Sequence, residues 1–292
     1  MNDSLAQALK QLRLSGLLPT LDLRLQEAAG NGLNPAEFLE LILQDELAVR
    51  SDRQLQRRVK AAGFRELKTL EDFDWSFNPS LKKKQVYDLA AGRFLREHRD
   101  LLFLGPPGVG KSHIVQALGY QMLKLGFIVL YRSIFDVVRD FLHDEALGQA
   151  DKLLAKYLKP DLLIVDDMGM KQLPKRSGEY LFEIIMRRYE TRSTIMTSNR
   201  PLEDWGKLLG DVPSATAILD RFLHHAEILR ISGRSYRLRH QKPESEAAPE
   251  DGKPRSGSNG SAAETDQSPI EFRDEAVVQL APTGEFRLIH SA

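Results

Sequence analysis

Gly105-Pro106-Pro107-Gly108-Val109-Gly110-Lys111-Ser112 fits the pattern G-x-x-x-x-G-K-[ST], and its reading decides the fold. Leu101-Leu102-Phe103-Leu104 precedes it, a short continuous apolar run of the kind a buried parallel strand requires. His113 to Leu125 follows as an alanine- and leucine-containing helical stretch closed by Gly126. Strand, glycine loop and helix N-terminus together make an anion site. The glycines let successive backbone N–H groups turn inward around phosphate oxygens, and the helix dipole adds to the attraction. Lys111 brings a full positive charge to the outer phosphates, and the Ser112 hydroxyl can hold Mg2+. The competing reading, a glycine-rich structural turn, does not account for both flanks.

The 292 residues suffice for one nucleotide-binding domain, a smaller module and a tail. Cysteine is absent, which excludes a disulfide framework and thiolate metal sites. No apolar run approaches the length of a membrane span, and the N-terminus lacks the pattern of a signal peptide, so a cytoplasmic protein without a membrane partner is expected. The net charge of zero hides an asymmetry. Residues 243–292 hold four basic and ten acidic side chains, leaving 37 basic and 31 acidic in 1–242. A basic body suits a polyanion partner.

Residues 1–62 read as an all-helical module for DNA or partner binding. Leu5, Leu9 and Leu12 share a helical face, and Thr20 to Ala29 is a second candidate helix. Asn34-Pro35 starts a longer one, with Asn34 as N-cap and Pro35 at the first helical position. Its apolar stripe includes Phe38, Leu39, Ile42, Leu43 and Leu47. Further along, Arg50, Arg53, Arg57 and Lys60 are spaced to share one helix face. They either track a phosphate backbone or form a solvated face balancing Glu37, Glu40, Asp45 and Glu46.

Gly63-Phe64 marks the boundary to a second unit, residues 63–242. Leu70 to Pro79 is aromatic and turn-like, suited either to an adenine ring or to core packing, and it receives no site assignment. Strands are expected at 101–104, 127–131, 162–166, 194–198 and 228–231, separated by helices, which implies a mostly parallel sheet covered on both faces. From Pro243 the composition turns charged and Gly/Ser/Pro-rich, predicting a flexible acidic tail over 243–292 with a terminal hairpin pairing Val278 and Leu280 with Phe286 and Leu288.

Hydrolysis needs more than a phosphate loop. Leu162 to Asp167 is an apolar strand ending in two carboxylates. Asp166 is placed to hold Mg2+, and Asp167 to orient and deprotonate an attacking water. The strand ending at Ser198 delivers the amide of Asn199 beside it. Arg221 lies in a helical context and suits either a phosphate of a neighbouring subunit or an ordinary salt bridge. His224 and His225, adjacent on an expected helix, would point about 100° apart and so read as surface or packing residues.

Five ordered segments now show a resemblance. Gly105 to His113, Leu162 to Gly169, Arg192 to Arg200, Ile218 to His225 and Gly233 to Arg237 resemble the IstB-type AAA+ ATPases, transposition helpers of insertion sequences related to the helicase loader DnaC and the initiator DnaA. Leu12 to Leu17 and Leu70 to Trp75 look similar as well. The resemblance implies an AAA+ sheet in the order 5-1-4-3-2. It assigns Gly105, Pro106, Pro107, Gly108, Val109, Gly110, Lys111, Ser112 and His113 to ATP, and Ser112 and Asp166 to Mg2+. Asp167 takes the catalytic acid position, Asn199 the sensor 1 position, and Arg221 that of an arginine finger acting across a subunit interface. Many AAA+ proteins carry Glu where this chain has Asp167, and the tail has no counterpart in the pattern.

The expected activity is an ATPase that forms a homo-oligomer on double-stranded DNA and recruits or activates an integrase-type transposase. Arg230, Arg234, Arg237, Arg239, His240 and Lys242 form a basic cluster consistent with DNA contact. A helicase loader and a non-hydrolysing ATP-dependent DNA-binding switch are the alternatives. A small-molecule kinase would leave Asn199 and Arg221 without roles.

Overall fold

The computed structural model describes residues 3–145, 150–169, 174, 177–209, 212–239, 277–280 and 286–289. Three helices open the chain, α1 (Asp3–Gln11), α2 (Leu21–Asn31) and α3 (Pro35–Ala62). Asn34 caps α3 as its sequence predicts: its side chain accepts from the Ala36 and Glu37 amides while Glu37 accepts from the Asn34 amide. Gly63, with φ 75, ends the helix. The turn before α2 is anchored on α3 by Glu46, whose buried carboxylate accepts from the Gly16 and Leu17 amides. A Cβ at Gly16 would lie 2.7 Å from Glu46 Oε2, so this close approach needs glycine.

Two short helices, α4 (Lys83–Ala90) and α5 (Arg93–Arg96), lead into β1 (Asp100–Leu104), with Gly92 at φ 74 separating them. An alternating series follows: α6 (Lys111–Lys124), β2 (Val129–Ser133), α7 (Ile134–Glu145), α8 (Ala150–Leu158), β3 (Leu162–Met168), α9 (Ser177–Arg188) and β4 (Ser193–Ser198). Then come α10 (Trp205–Leu209), α11 (Val212–His224) and β5 (Ala226–Arg230). All five strands pair in parallel, in the order β2-β3-β4-β1-β5, which is the order implied by the AAA+ resemblance.

The apolar strand runs are two-faced because successive side chains leave opposite sides of the sheet. Leu102, Leu104, Leu163, Val165 and Met196 pack with Val137, Tyr157, Ile184, Trp205 and Phe222 from the helices on one face. Leu101, Phe103, Leu162, Ile164 and Ile195 pack with Ala62, Val86, Phe94, Ile114 and Leu118 on the other. The C-terminal end of α3 belongs to this second layer, through Ala62 and the partly buried Leu55 and Val59. Arg188 is fully buried at the sheet's lower edge. It donates to the carbonyls of Tyr157, Pro160 and Ser193, satisfying backbone oxygens that the turns leave unpaired.

The second strand lies at 129–133 rather than 127–131. Gly126 turns the chain at φ 99, and Ile128 stays half-exposed with its amide bound to the Asp161 carboxylate. Much of the apolar stripe of α3 is also exposed, at Leu39, Leu43 and Leu47, and an Arg24–Asp45 ion pair joins α2 to α3. The hairpin expected near the C-terminus is present as β6 (Val277–Leu280) and β7 (Phe286–Ile289), pairing Val278 with Leu288 and Leu280 with Phe286. The rest of the acidic tail lies outside the described residues.

Candidate functional site

The loop after β1 leads directly into α6, whose N-cap, Gly110, offers no side chain to the first amides of the helix. Those amides are left for an anion. Gly108 and Gly110 sit at φ 83 and 101, in the left-handed region. A Cβ at Gly108 would lie 2.0 Å from the Ser235 hydroxyl, and one at Gly110 would lie 2.7 Å from the Phe73 ring. Both glycines are therefore required by conformation and by space.

Lys111 is buried against the loop it follows. Its ammonium donates to the carbonyls of Gly105 and Pro106 at 2.7 and 2.9 Å, and to Asn199 Oδ1 at 2.5 Å. Burial pushes it down to about 8, against the pull of Asp166 and Asp167. Asn199 is delivered just past β4, where its amide bonds to the Met168 carbonyl. The two residues that sequence spacing assigned to different motifs thus touch.

Asp166 is fully buried at the end of β3. Its carboxylate accepts from Ser112 Oγ at 3.1 Å, Tyr131 Oη at 2.5 Å, the Asp167 amide at 2.9 Å and the Thr197 hydroxyl. A hydroxyl and a carboxylate side by side at the loop are hard oxygen donors, the chemistry Mg2+ requires. The register between β3 and β4 shifts between Val165 and Met168, and Asp167 takes φ 65 there. This swings its carboxylate out of the strand to Arg65, 2.9 Å away. Burial and the neighbouring Asp166 push the Asp167 carboxyl above its ordinary range, with Arg65 opposing them.

The cleft over the loop has a volume of about 910 Å³, enough for a nucleotide. Pro107 through His113 line it together with Asp167 and Asn199. His113 bonds the Thr69 carbonyl and sets its ring edge-on to Phe73. Arg221 does not line this cleft. It lies on the exposed side of α11, half-exposed, with its guanidinium 5.6 Å from the centre of the Tyr189 ring.

The cleft is also lined by Arg65 and Tyr236, which had no role in the sequence reading, by Phe73 and Phe77 from the aromatic stretch suited to an adenine ring or to core packing, and by Arg237 and Arg239 from the basic cluster expected at DNA. The Tyr236 amide bonds to the Gly108 carbonyl, its ring meets Phe77 edge-on, and Arg239 covers the other side at 4.0 Å. The aromatic stretch at 70–79 and the basic stretch after β5 therefore meet over the phosphate loop. They lie near the two ends of the region that holds the sheet, one before β1 and the other after β5, so only the fold brings them to the loop.

His224 and His225 lie at the surface as expected, but α11 ends at His224, so the helical separation of about 100° does not apply. His224 Nδ1 and His225 Nε2 approach to 3.0 Å, beside Glu190. The basic stripe does share one face of α3, where Arg50, Arg53, Arg57 and Lys60 line a common groove. Two of its members have local work: Arg50 pairs with the buried Glu46 and bonds the Arg13 carbonyl, and Arg53 bonds the Ser15 hydroxyl.

No helix among the described residues is long and apolar enough to cross a membrane. The family model of IstB-like ATP binding proteins matches residues 7–244. A protein of insertion sequence IS21 from Pseudomonas aeruginosa, named for ATP binding, is 36% identical over 80% of this chain and 88% of its own. Its counterpart in insertion sequence IS5376 of Geobacillus stearothermophilus is 35% identical over 75% of this chain and 87% of its own. Among solved structures, a replication initiator DnaA bound to AMPPCP and single-stranded DNA is similar in fold, with a TM-score of 0.50 and 23% identity over 59% of this chain and 52% of that one. With the matched segment taking in both α3 and every strand of the parallel sheet, the chain belongs to the IstB-like ATP-binding proteins of insertion sequences.

Proposed function

We propose that the protein is an ATPase that assembles on duplex DNA and directs or activates a transposase. The observation that carries this reading is the convergence of Lys111, Ser112, Asp167 and Asn199, from three separate motifs, on one cleft, with the buried Asp166 bonded directly behind Ser112. Loop amides and the N-terminus of α6 bind the phosphates. Lys111 exchanges its carbonyl partners for phosphate oxygens, which are better acceptors for an ammonium. Ser112 and Asp166 hold Mg2+, which neutralises charge on the phosphates.

Asp167 accepts the proton of the attacking water, while Asn199 orients the reacting groups. The Asp167 carboxylate must leave Arg65 to do so, which makes hydrolysis dependent on a rearrangement near the end of α3. Arg221, half-exposed and not among the residues lining its own cleft, stabilises transition-state charge in a neighbouring subunit. Residues 1–62 form the DNA- and partner-binding module, 63–242 the ATPase domain and 243–292 an appended tail. The names of the relatives, all tied to insertion sequences, support the transposase as client.

The Arg65–Asp167 pair also favours a second reading, a switch that binds ATP without hydrolysing it. Phosphate release by the full chain, with and without duplex DNA, separates the two. DNA-stimulated release supports the ATPase; ATP-dependent DNA binding with no release supports the switch.

A further inference from the structure

At the end of the sheet away from the nucleotide, three metal-ligating side chains converge on a corner built by rigid elements. After α9 the chain turns at Glu190, with φ 58. α9 is anchored by the buried Arg188, and it packs against α11, anchored by the buried Ile218 and Phe222. His225 is fixed through its carbonyl, which accepts from the amide of Asp100 at the start of β1. Glu190, His224 and His225 are thus carried together by three elements.

His225 Nε2 lies 3.0 Å from His224 Nδ1 and 3.2 Å from Glu190 Oε1. All three donor atoms fall within 4.8 Å of one another, and no other such group of three occurs among the described residues. Metal bonds of about 2.0–2.1 Å at tetrahedral angles place neighbouring ligand atoms about 3.3 Å apart. Two of the three edges already match that spacing. The same two spacings are hydrogen-bond distances, and the Tyr189 hydroxyl lies 2.7 Å from His224 Nδ1. A divalent cation would take the place of the protons in those hydrogen bonds, with Glu190, His224 and His225 each supplying one donor atom to it.

We propose that Glu190, His224 and His225 form a binding site for a borderline divalent transition cation such as Zn2+. Two imidazoles and one carboxylate are a ligand set for that class of ion, whereas Mg2+ prefers all-oxygen surroundings. Glu190 and His224 are exposed, which leaves a coordination position open to water. Arg221 leans on the ring of Tyr189, so its charge opposes the cation and keeps the affinity moderate. The site stands independently of any role of Arg221 across a subunit boundary.

The test is a titration of the tag-free, metal-stripped full chain with Zn2+, and with Co2+ as a spectroscopic probe, in the absence of nucleotide and DNA. One cation per chain is expected, with Co2+ absorption typical of nitrogen and oxygen ligands in low coordination. Glu190→Gln and His225→Ala should each weaken binding by about tenfold or more, while ATP affinity, read as a control of folding, stays unchanged. Zn2+ affinity that is the same in His224→Ala/His225→Ala as in the parent would overturn the assignment, as would a parent chain that binds no Zn2+. Because the readout uses neither ATP nor DNA, its failure would leave the ATPase reading untouched.

Discussion

The Arg65 guanidinium lies 2.9 Å from the Asp167 carboxylate, two residues beyond the glycine that ends the long basic helix α3. The pair ties the proposed proton acceptor to the helix proposed to meet DNA. Holding Asp167 against a cation lowers its basicity and keeps it from a water at the phosphates. Arg65→Ala is therefore expected to raise DNA-independent phosphate release about threefold or more and to shrink the stimulation by DNA. Steady-state turnover with and without duplex checks this. Unchanged basal turnover would mean that the ion pair has no restraining role.

Lys111 makes nucleotide affinity depend on pH. Its ammonium is buried and pushed down to about 8 by that burial. The protonated form binds phosphate, so affinity is full below that value and falls as pH rises through it, by up to about tenfold per unit. Lys111→Ala should reduce affinity about 10- to 100-fold at neutral pH and flatten the profile. Titration with a fluorescent ATP analogue between about pH 6.5 and 9.5 reads both effects.

On α3 the four cations are not equivalent. Arg50 satisfies the buried Glu46 and Arg53 holds the turn at Ser15, whereas Arg57 and Lys60 are exposed further along the same groove. Arg57→Ala/Lys60→Ala should keep its melting temperature and bind duplex DNA more weakly. The slope of its salt dependence should be shallower by about one for each phosphate no longer neutralised. Arg50→Ala should instead lower the melting temperature. Salt-titrated DNA binding beside thermal melts separates the two kinds of effect.

Asp100 couples stability to pH. Burial pushes its carboxyl up to about 7, although it accepts from the Thr194 amide at 2.6 Å. Between its ordinary value of 3.8 and about 7 the folded chain holds a proton that the unfolded chain has released. Stability attributable to this group therefore falls as pH rises through that window, by at most about 1.4 kcal/mol per unit, and levels off above it. Asp100→Asn retains the acceptor for Thr194 and should lose less stability than the parent between about pH 5 and 8 in thermal melts.

The sheet was legible because its signals are local. Each apolar run supplied side chains to both faces, and the order of loop, paired carboxylates and asparagine matched a known arrangement. What escaped depends on distant packing. Nothing in the sequence around Arg65 names Asp167 as its partner, since the ion pair needs the irregularity in β3 that turns Asp167 outward. Likewise, Phe73 and Tyr236 become neighbours of the loop only when the fold brings the segment before β1 and the segment after β5 together. The histidines do lie at the surface, but their relative direction differs from helical spacing because α11 ends at His224. The apolar stripe of α3 is divided in the structure, with Phe38 and Ile42 partly buried and Leu39, Leu43 and Leu47 exposed, because periodicity does not say what covers a face.

The central claim is a nucleotide site completed between subunits, and complementation tests it most directly. Arg221→Ala retains Asp167, and Asp167→Asn retains Arg221; each alone should bind ATP but turn over about 100-fold or more slowly in the presence of duplex DNA. Mixed in equal amounts on DNA, the two should recover a substantial fraction of parental phosphate release, because Asp167→Asn subunits supply Arg221 to sites with an intact Asp167. A mixture no more active than the sum of its parts would contradict the shared site.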